Sequence, residues 1–208
     1  MIRDKLKFNL LIVLVGLFLV GFFFSYIGLP SITGHAVVDG ISKTKVSNLI
    51  LEKDTKDYDL IVSSADGSKQ VNIQVKTELY SSEPSDFSKL NWMLKSKNEE
   101  IRPNLIFSFV HLNQESNLYK VFNIPSREVS DYIKNAHKIW LKLPGPKESV
   151  HKSTPLRIMH VDAYNYITTK WNRDRLEDYL TNDEIKFLKD HSLGWMDKYE
   201  DDWNILER

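Results

Sequence analysis

From Phe8 to Leu29 the chain reads FNLLIVLVGLFLVGFFFSYIGL, without one charged side chain. As a helix, about 22 residues rise roughly 33 Å, which matches the hydrocarbon core of a bilayer. Helices of water-soluble domains are rarely so uniformly apolar, because one face must stay polar. Tyr26 stands near the end of the run, where an amphipathic ring suits the interface, and Pro30 stops the helix. Arg3, Lys5 and Lys7 precede it against the single acid Asp4, and no Lys or Arg follows until Lys43. The positive-inside rule then places the N-terminus in the cytoplasm and the rest of the chain outside it. A cleaved signal peptide is the rival reading, with Gly34-His35-Ala36 as its small-x-small site; the length of the run favours an uncleaved anchor. The expected organisation is a tip and single transmembrane helix over residues 1–33, inserted through residues 8–29, and one extracytoplasmic domain over residues 34–208.

Outside that run the composition is that of a globular domain, with 42% hydrophobic and 12% aromatic residues overall. Lys+Arg and Asp+Glu both number 28. A balanced charge gives no global pull toward nucleic acid or anionic lipid, so any such binding has to come from a local patch. The absence of cysteine excludes disulfides and thiolate metal sites.

Residues 34–52 place Val37, Val38, Ile41, Val46, Leu49 and Ile50 at the spacing of an amphipathic helix, weakened by Gly40. Tyr58–Val62 (YDLIV) and Val71–Thr77 (VNIQVKT) read as the arms of a β-hairpin around the turn signal Ala65-Asp66-Gly67-Ser68. A polar stretch over 81–100 predicts a loop and a short helix. Asn104–Leu112 and Tyr119–Ile124 read as a second strand pair, followed by a helix near 126–139 with Ser126 as its N-cap. Leu143–Pro155 reads as a loop. Thr181-Asn-Asp-Glu184 forms a capping box, and Trp203, Ile205 and Leu206 are expected to dock on the core. The sum is an α+β fold, a central mixed sheet flanked by helices.

Chemistry concentrates on VNIQVKT. Side chains alternate along a strand, so Val71, Ile73, Val75 and Thr77 share one face and Asn72, Gln74 and Lys76 the other. Pairing with YDLIV lets Asp59 face the same side as Gln74 and Lys76. Asp59 is a hard oxygen ligand for Mg²⁺, and the Gln74 carbonyl is a weaker second one. Lys76 then lies where it can orient a water or stabilise charge on a phosphate.

The pattern Asp-x14-Gln-x-Lys on a hairpin, with the downstream PNLIFSFVHL, YKVFNIPSREVSDYI and the closing Tyr199, Trp203 and Leu206, resembles the PD-(D/E)XK nuclease superfamily. It is most similar to branches that carry Gln in place of the second acid. The resemblance covers roughly residues 34–142 and the C-terminal end. It implies a restriction-endonuclease-like core and a Mg²⁺- (or Mn²⁺-) dependent endonuclease acting on nucleic acid, with DNA the favoured substrate. Asp59 and Gln74 would hold the metal and Lys76 would assist catalysis. Two features depart from the pattern. Gln74 is neutral, so a cation loses one negative charge there. Gly34-His35 stands where a Gly-Glu is expected. A catalytically inactive module, binding nucleic acid or a protein partner at the membrane, therefore stays open.

Other groups read more blandly. Lys134, Lys138, Lys142, Lys147 and Lys152, with His137 and His151, suit a solvated face before a phosphate patch. Trp140 among them suits packing before base stacking. Lys95 and Lys97 can approach a phosphate from the short helix expected after the hairpin. His111 suits a buried strand, and the six histidines show no metal-ligand spacing.

Overall fold

The computed structural model describes residues 48–50, 59–63, 68–80, 90–113, 119–145, 148–170 and 173–206. The apolar run over 8–29, and residues 34–47 and 51–52 of the helix expected over 34–52, lie outside them. Among the described residues no helix is long and apolar enough to cross a membrane.

The fold is α+β around a five-stranded mixed sheet. Its strands are β1 (Asn48–Ile50), β2 (Leu60–Ser63), β3 (Gln70–Tyr80), β5 (Leu105–Asn113) and β6 (Tyr119–Pro125), and they lie in that spatial order. The chain meanders antiparallel through the first three; β5 then joins β3 in parallel, and β6 returns antiparallel to β5. A parallel neighbour requires a crossover. Here the crossover carries β4 (Asn91–Lys95) and a 3₁₀ turn, Ser96–Glu99. Strand β4 pairs antiparallel with β7 (Leu156–His160) in a second, two-stranded sheet. Among the described residues three α-helices complete the fold: α1 (Ser126–Lys142), α2 (Ala163–Lys170) and α3 (Asn182–Asp190).

Both faces of the main sheet are covered. Leu60, Val62, Ile73, Ile106, Val110 and Val121 gather on one side under Trp203. Phe107, Phe109, Phe122 and Ile124 gather on the other, under Trp92 and Leu94 of β4 and the stripe Val129, Tyr132, Ile133 and Ile139 of α1. Double coverage explains why LIFSFVHL is a nearly continuous apolar run instead of an alternating one.

Three expectations are corrected. Asn48–Ile50, placed at the end of an amphipathic helix, forms an edge strand on β2; pairing with an exposed strand edge overrides a helical spacing already broken by Gly40. In the segment 81–100, expected to hold a loop and a short helix, residues 91–99 form strand β4 and a 3₁₀ turn, because alternate residues Trp92 and Leu94 are the ones buried, while 81–89 lie outside the described residues. Ser126 does not cap α1. Pro125 holds the N-cap position, and Ser126 Oγ accepts the Arg102 N–H at 2.9 Å. The Thr181–Glu184 capping box forms as expected, with Thr181 N donating to Glu184 Oε2 at 3.0 Å. Trp203 docks on the core as expected.

Candidate functional site

Strand β3 supplies two of the three expected site residues, and the segment leading into β2 supplies the third. The Asp59 backbone N–H donates to Ile73 O at 2.8 Å, and its Oδ2 accepts the Val75 N–H at 2.7 Å. Asp59 is thus stitched to the two residues that flank Gln74. Residues 72, 74 and 76 lie in register with Leu105, Phe107 and Phe109, so the polar row of β3 is on the side of the larger core, with Gln74 buried and Asn72 and Lys76 partly exposed.

Gln74 is accordingly only 7% exposed. A buried amide needs a partner, and Asn98, in the 3₁₀ turn, provides it: Asn98 Nδ2 donates to Gln74 Oε1 at 3.3 Å. Asn98 Oδ1 accepts the Lys95 N–H at 3.0 Å. That second bond fixes which end of the Asn98 amide faces Gln74, and hence that Gln74 presents its oxygen to it.

Electrostatics bind the group together. Asp59 retains exposed surface, yet burial raises its carboxyl above the ordinary value, against the Val75 hydrogen bond and the charge of Lys76, which pull it down. Burial lowers Lys76 below the ordinary lysine value; Asp59 pulls it back up, while Lys97 and Lys95 push it down. Lys76 thus stands between the Asp59 carboxylate, which favours its charge, and the Lys97 and Lys95 ammonium groups, which oppose it. A bound phosphate oxygen would relieve the mutual repulsion of the lysines.

The arrangement suits a hydrated divalent cation better than a fully caged one. Asp59 and Gln74 offer hard oxygen donors, but each already spends one lone pair within the protein, on Val75 N and on Asn98 Nδ2. Mg²⁺ keeps several waters and is commonly held by one or two carboxylates together with substrate phosphates. Among the described residues no group of three or more His, Asp or Glu side chains converges on one point.

Asn98, which holds the Gln74 amide, and Glu78 have no role expected from the sequence. Glu78 continues the parity of Gln74 and Lys76 along β3, so the alternation could have found it. Asn98 lies in the polar run KSKNEE and gives no local signal. Lys134, Lys138, Lys142 and Lys152 are exposed, as a solvated face requires.

Comparison with known proteins found no matching family model, no matching curated protein and no matching solved structure.

Farther along the same face, Glu78 pairs in register with His111, and His111 with Lys120 on β6. Burial, then the charge of Lys120, drives the His111 imidazole down to about 4. An unfolded histidine titrates near 6.5, so between roughly pH 6.5 and 4 the unfolded chain takes up a proton that the folded one refuses. His111 is therefore expected to remove on the order of 2–3 kcal/mol of stability as pH falls through that window. Asp59 and Glu78, both raised by burial, work in the opposite direction, because the folded state protonates them first. Urea unfolding at pH 7.5 and pH 5 isolates the histidine: His111→Gln should flatten the loss, and an unchanged loss would refute the burial account.

Proposed function

We propose that the protein is a membrane-anchored, divalent-metal-dependent phosphodiesterase of PD-(D/E)XK nuclease type, acting on nucleic acid with DNA the favoured substrate. The observation that carries the proposal is the meeting of Asp59 and Lys76 beside a buried Gln74 whose amide is fixed by Asn98, with the charges of Lys95 and Lys97 acting on Lys76. The placement of the aspartate on one arm of a hairpin and Gln-x-Lys on the other supports it. The apolar run Phe8–Leu29 is read as the anchor, with the domain outside the cytoplasm.

In this reading Asp59 and Gln74 hold Mg²⁺ or Mn²⁺, which when bound supplies Lewis acidity and lowers the pKa of water. Lys76 stabilises the charge that develops on the phosphoryl oxygens. Its half-buried ammonium is less screened there than one in water. Lys95 and Lys97, both exposed, hold the approaching backbone as point charges.

The second reading is a module that binds nucleic acid without cutting it. The single carboxylate at the site favours it, since a neutral Gln74 leaves a cation weakly held. One assay separates the two: the full-length protein in detergent micelles, incubated with labelled DNA and RNA and Mg²⁺ or Mn²⁺, beside Asp59→Asn. Metal-dependent cleavage lost in the variant supports the enzyme. Binding without cleavage by the wild type supports the module, and cleavage indifferent to Asp59→Asn would discard the site.

A further inference from the structure

A cavity of about 130 Å³ lies between the C-terminal half of α1, β7 and α2. It shares no lining residue with the Asp59 site. Its base is aliphatic, formed by Ile139, Ile158, Ile167 and Leu188, and the small side chains of Ala136 and Ala163 leave the space open. Two aromatic groups wall it. One is Trp140, stacked with His137 at 5.5 Å and with His151 at 4.0 Å between ring centroids; the other is His160, stacked on Tyr166 at 4.1 Å.

The polar edge of the cavity is Arg157, which is buried. Its Nε donates to Glu99, and its Nη1 donates to the carbonyl oxygens of Thr154 at 2.6 Å and Leu156 at 2.8 Å. These bonds fix the plane of the guanidinium, and Nη2 is the remaining nitrogen of the fork. The pairing with Glu99 balances its charge. Burial, and then the charge of Arg157, holds His137 below the ordinary histidine value, so it too is neutral at pH 7.

These features select a ligand. A charged molecule finds no uncompensated charge in the cavity, and burying one would be costly. A purely aliphatic one would set hydrocarbon against the guanidinium that lines the cavity. A cavity of about 150 Å³ accommodates a single six-membered ring. Thr154 and Leu156, at the lining, are exposed, so a substituent on such a ring can reach solvent. We propose that this cavity binds a neutral monocyclic heteroaromatic ring with a carbonyl or ring-nitrogen acceptor edge, the chemistry of a pyrimidine base, its edge on Arg157 and its faces among Trp140, His160 and Tyr166.

Equilibrium dialysis of uridine and cytidine against the full-length protein in micelles tests this. Saturable binding is expected, with tryptophan fluorescence quenched in the wild type. Ala136→Leu, which fills the space from a helical position, should weaken binding at least about tenfold while the melting transition is kept. If that variant does not fold, Ile158→Phe fills the cavity from β7 instead. Wild-type protein that takes up neither nucleoside overturns the proposal, as does uptake untouched by a folded cavity-filling variant. Equal binding of adenosine would overturn the one-ring limit, and equal binding of toluene the role of the acceptor edge. Nucleosides carry no phosphate, so Lys76→Ala should bind them as the wild type does; failure here leaves the phosphodiesterase reading standing, and the reverse also holds.

Discussion

Replacing Lys76 by alanine is expected to lower phosphodiester cleavage by about 10²–10⁴-fold, with little change in folding stability. The size follows from placement. Lys76 is half-buried on β3 and couples directly to Asp59, whereas Lys95 and Lys97 are exposed and better screened. Under the proposed function, neither would take over its charge at the phosphate. The stability side is a near cancellation: alanine removes an ammonium that burial disfavours, but it also removes the cation that holds the Asp59 carboxyl down. A thermal melt beside the cleavage assay separates lost chemistry from lost fold. Lys76→Arg then asks what the ammonium does. Guanidinium stays charged at any working pH. If Lys76 acts only by charge, the arginine protein keeps much of the activity. If it gives up or accepts a proton, the arginine protein fails like alanine. The pH profile carries the same information: burial eases proton loss from Lys76, so a role as base gives a rate that climbs with pH, and a role as ammonium gives one that falls.

Asp59, Gln74 and Lys76 were legible in the sequence because strand alternation is a rigid rule. Once YDLIV and VNIQVKT are read as a hairpin, the side of each residue follows. The rule does not say what covers that side. Phe107 and Phe109 of β5 lie beside the polar row of β3, and Asn98 holds the Gln74 amide. That cover comes from a crossover whose strand, Asn91–Lys95, is too short and too polar to stand out, and whose partner strand lies some sixty residues on, at Leu156–His160. Pairing across such a distance leaves no local trace. The same holds for Arg157, whose partner Glu99 belongs to the polar run before β5. Helix ends read unevenly for a related reason. Thr181 and Glu184 cap each other within one turn, so the signal is local, while Ser126 is drawn off by Arg102, 24 residues earlier.

Trp92→Ala is expected to cost about 3–5 kcal/mol of folding stability. Trp92 is 1% exposed and packs its ring against Phe109, at 5.1 Å between centroids, and Phe122, at 6.3 Å. Its indole N–H also donates to Val110 O at 3.2 Å. Truncation opens a cavity over the centre of the sheet and leaves that carbonyl without its indole donor. Trp92→Phe keeps most of the volume and loses the hydrogen bond, so it should cost only about 1–2 kcal/mol. Urea unfolding of both variants checks the ranking; equal losses would mean that the hydrogen bond, not the ring, holds β4 down. The same residue ties stability to the site. Lys95 ends β4 and Asn98 follows three residues later, so the tryptophan is the anchor from which both are presented to Gln74 and Lys76. At temperatures where the alanine protein is still folded, loosening that anchor should lower cleavage more than the unfolded fraction explains, and the phenylalanine protein should retain it.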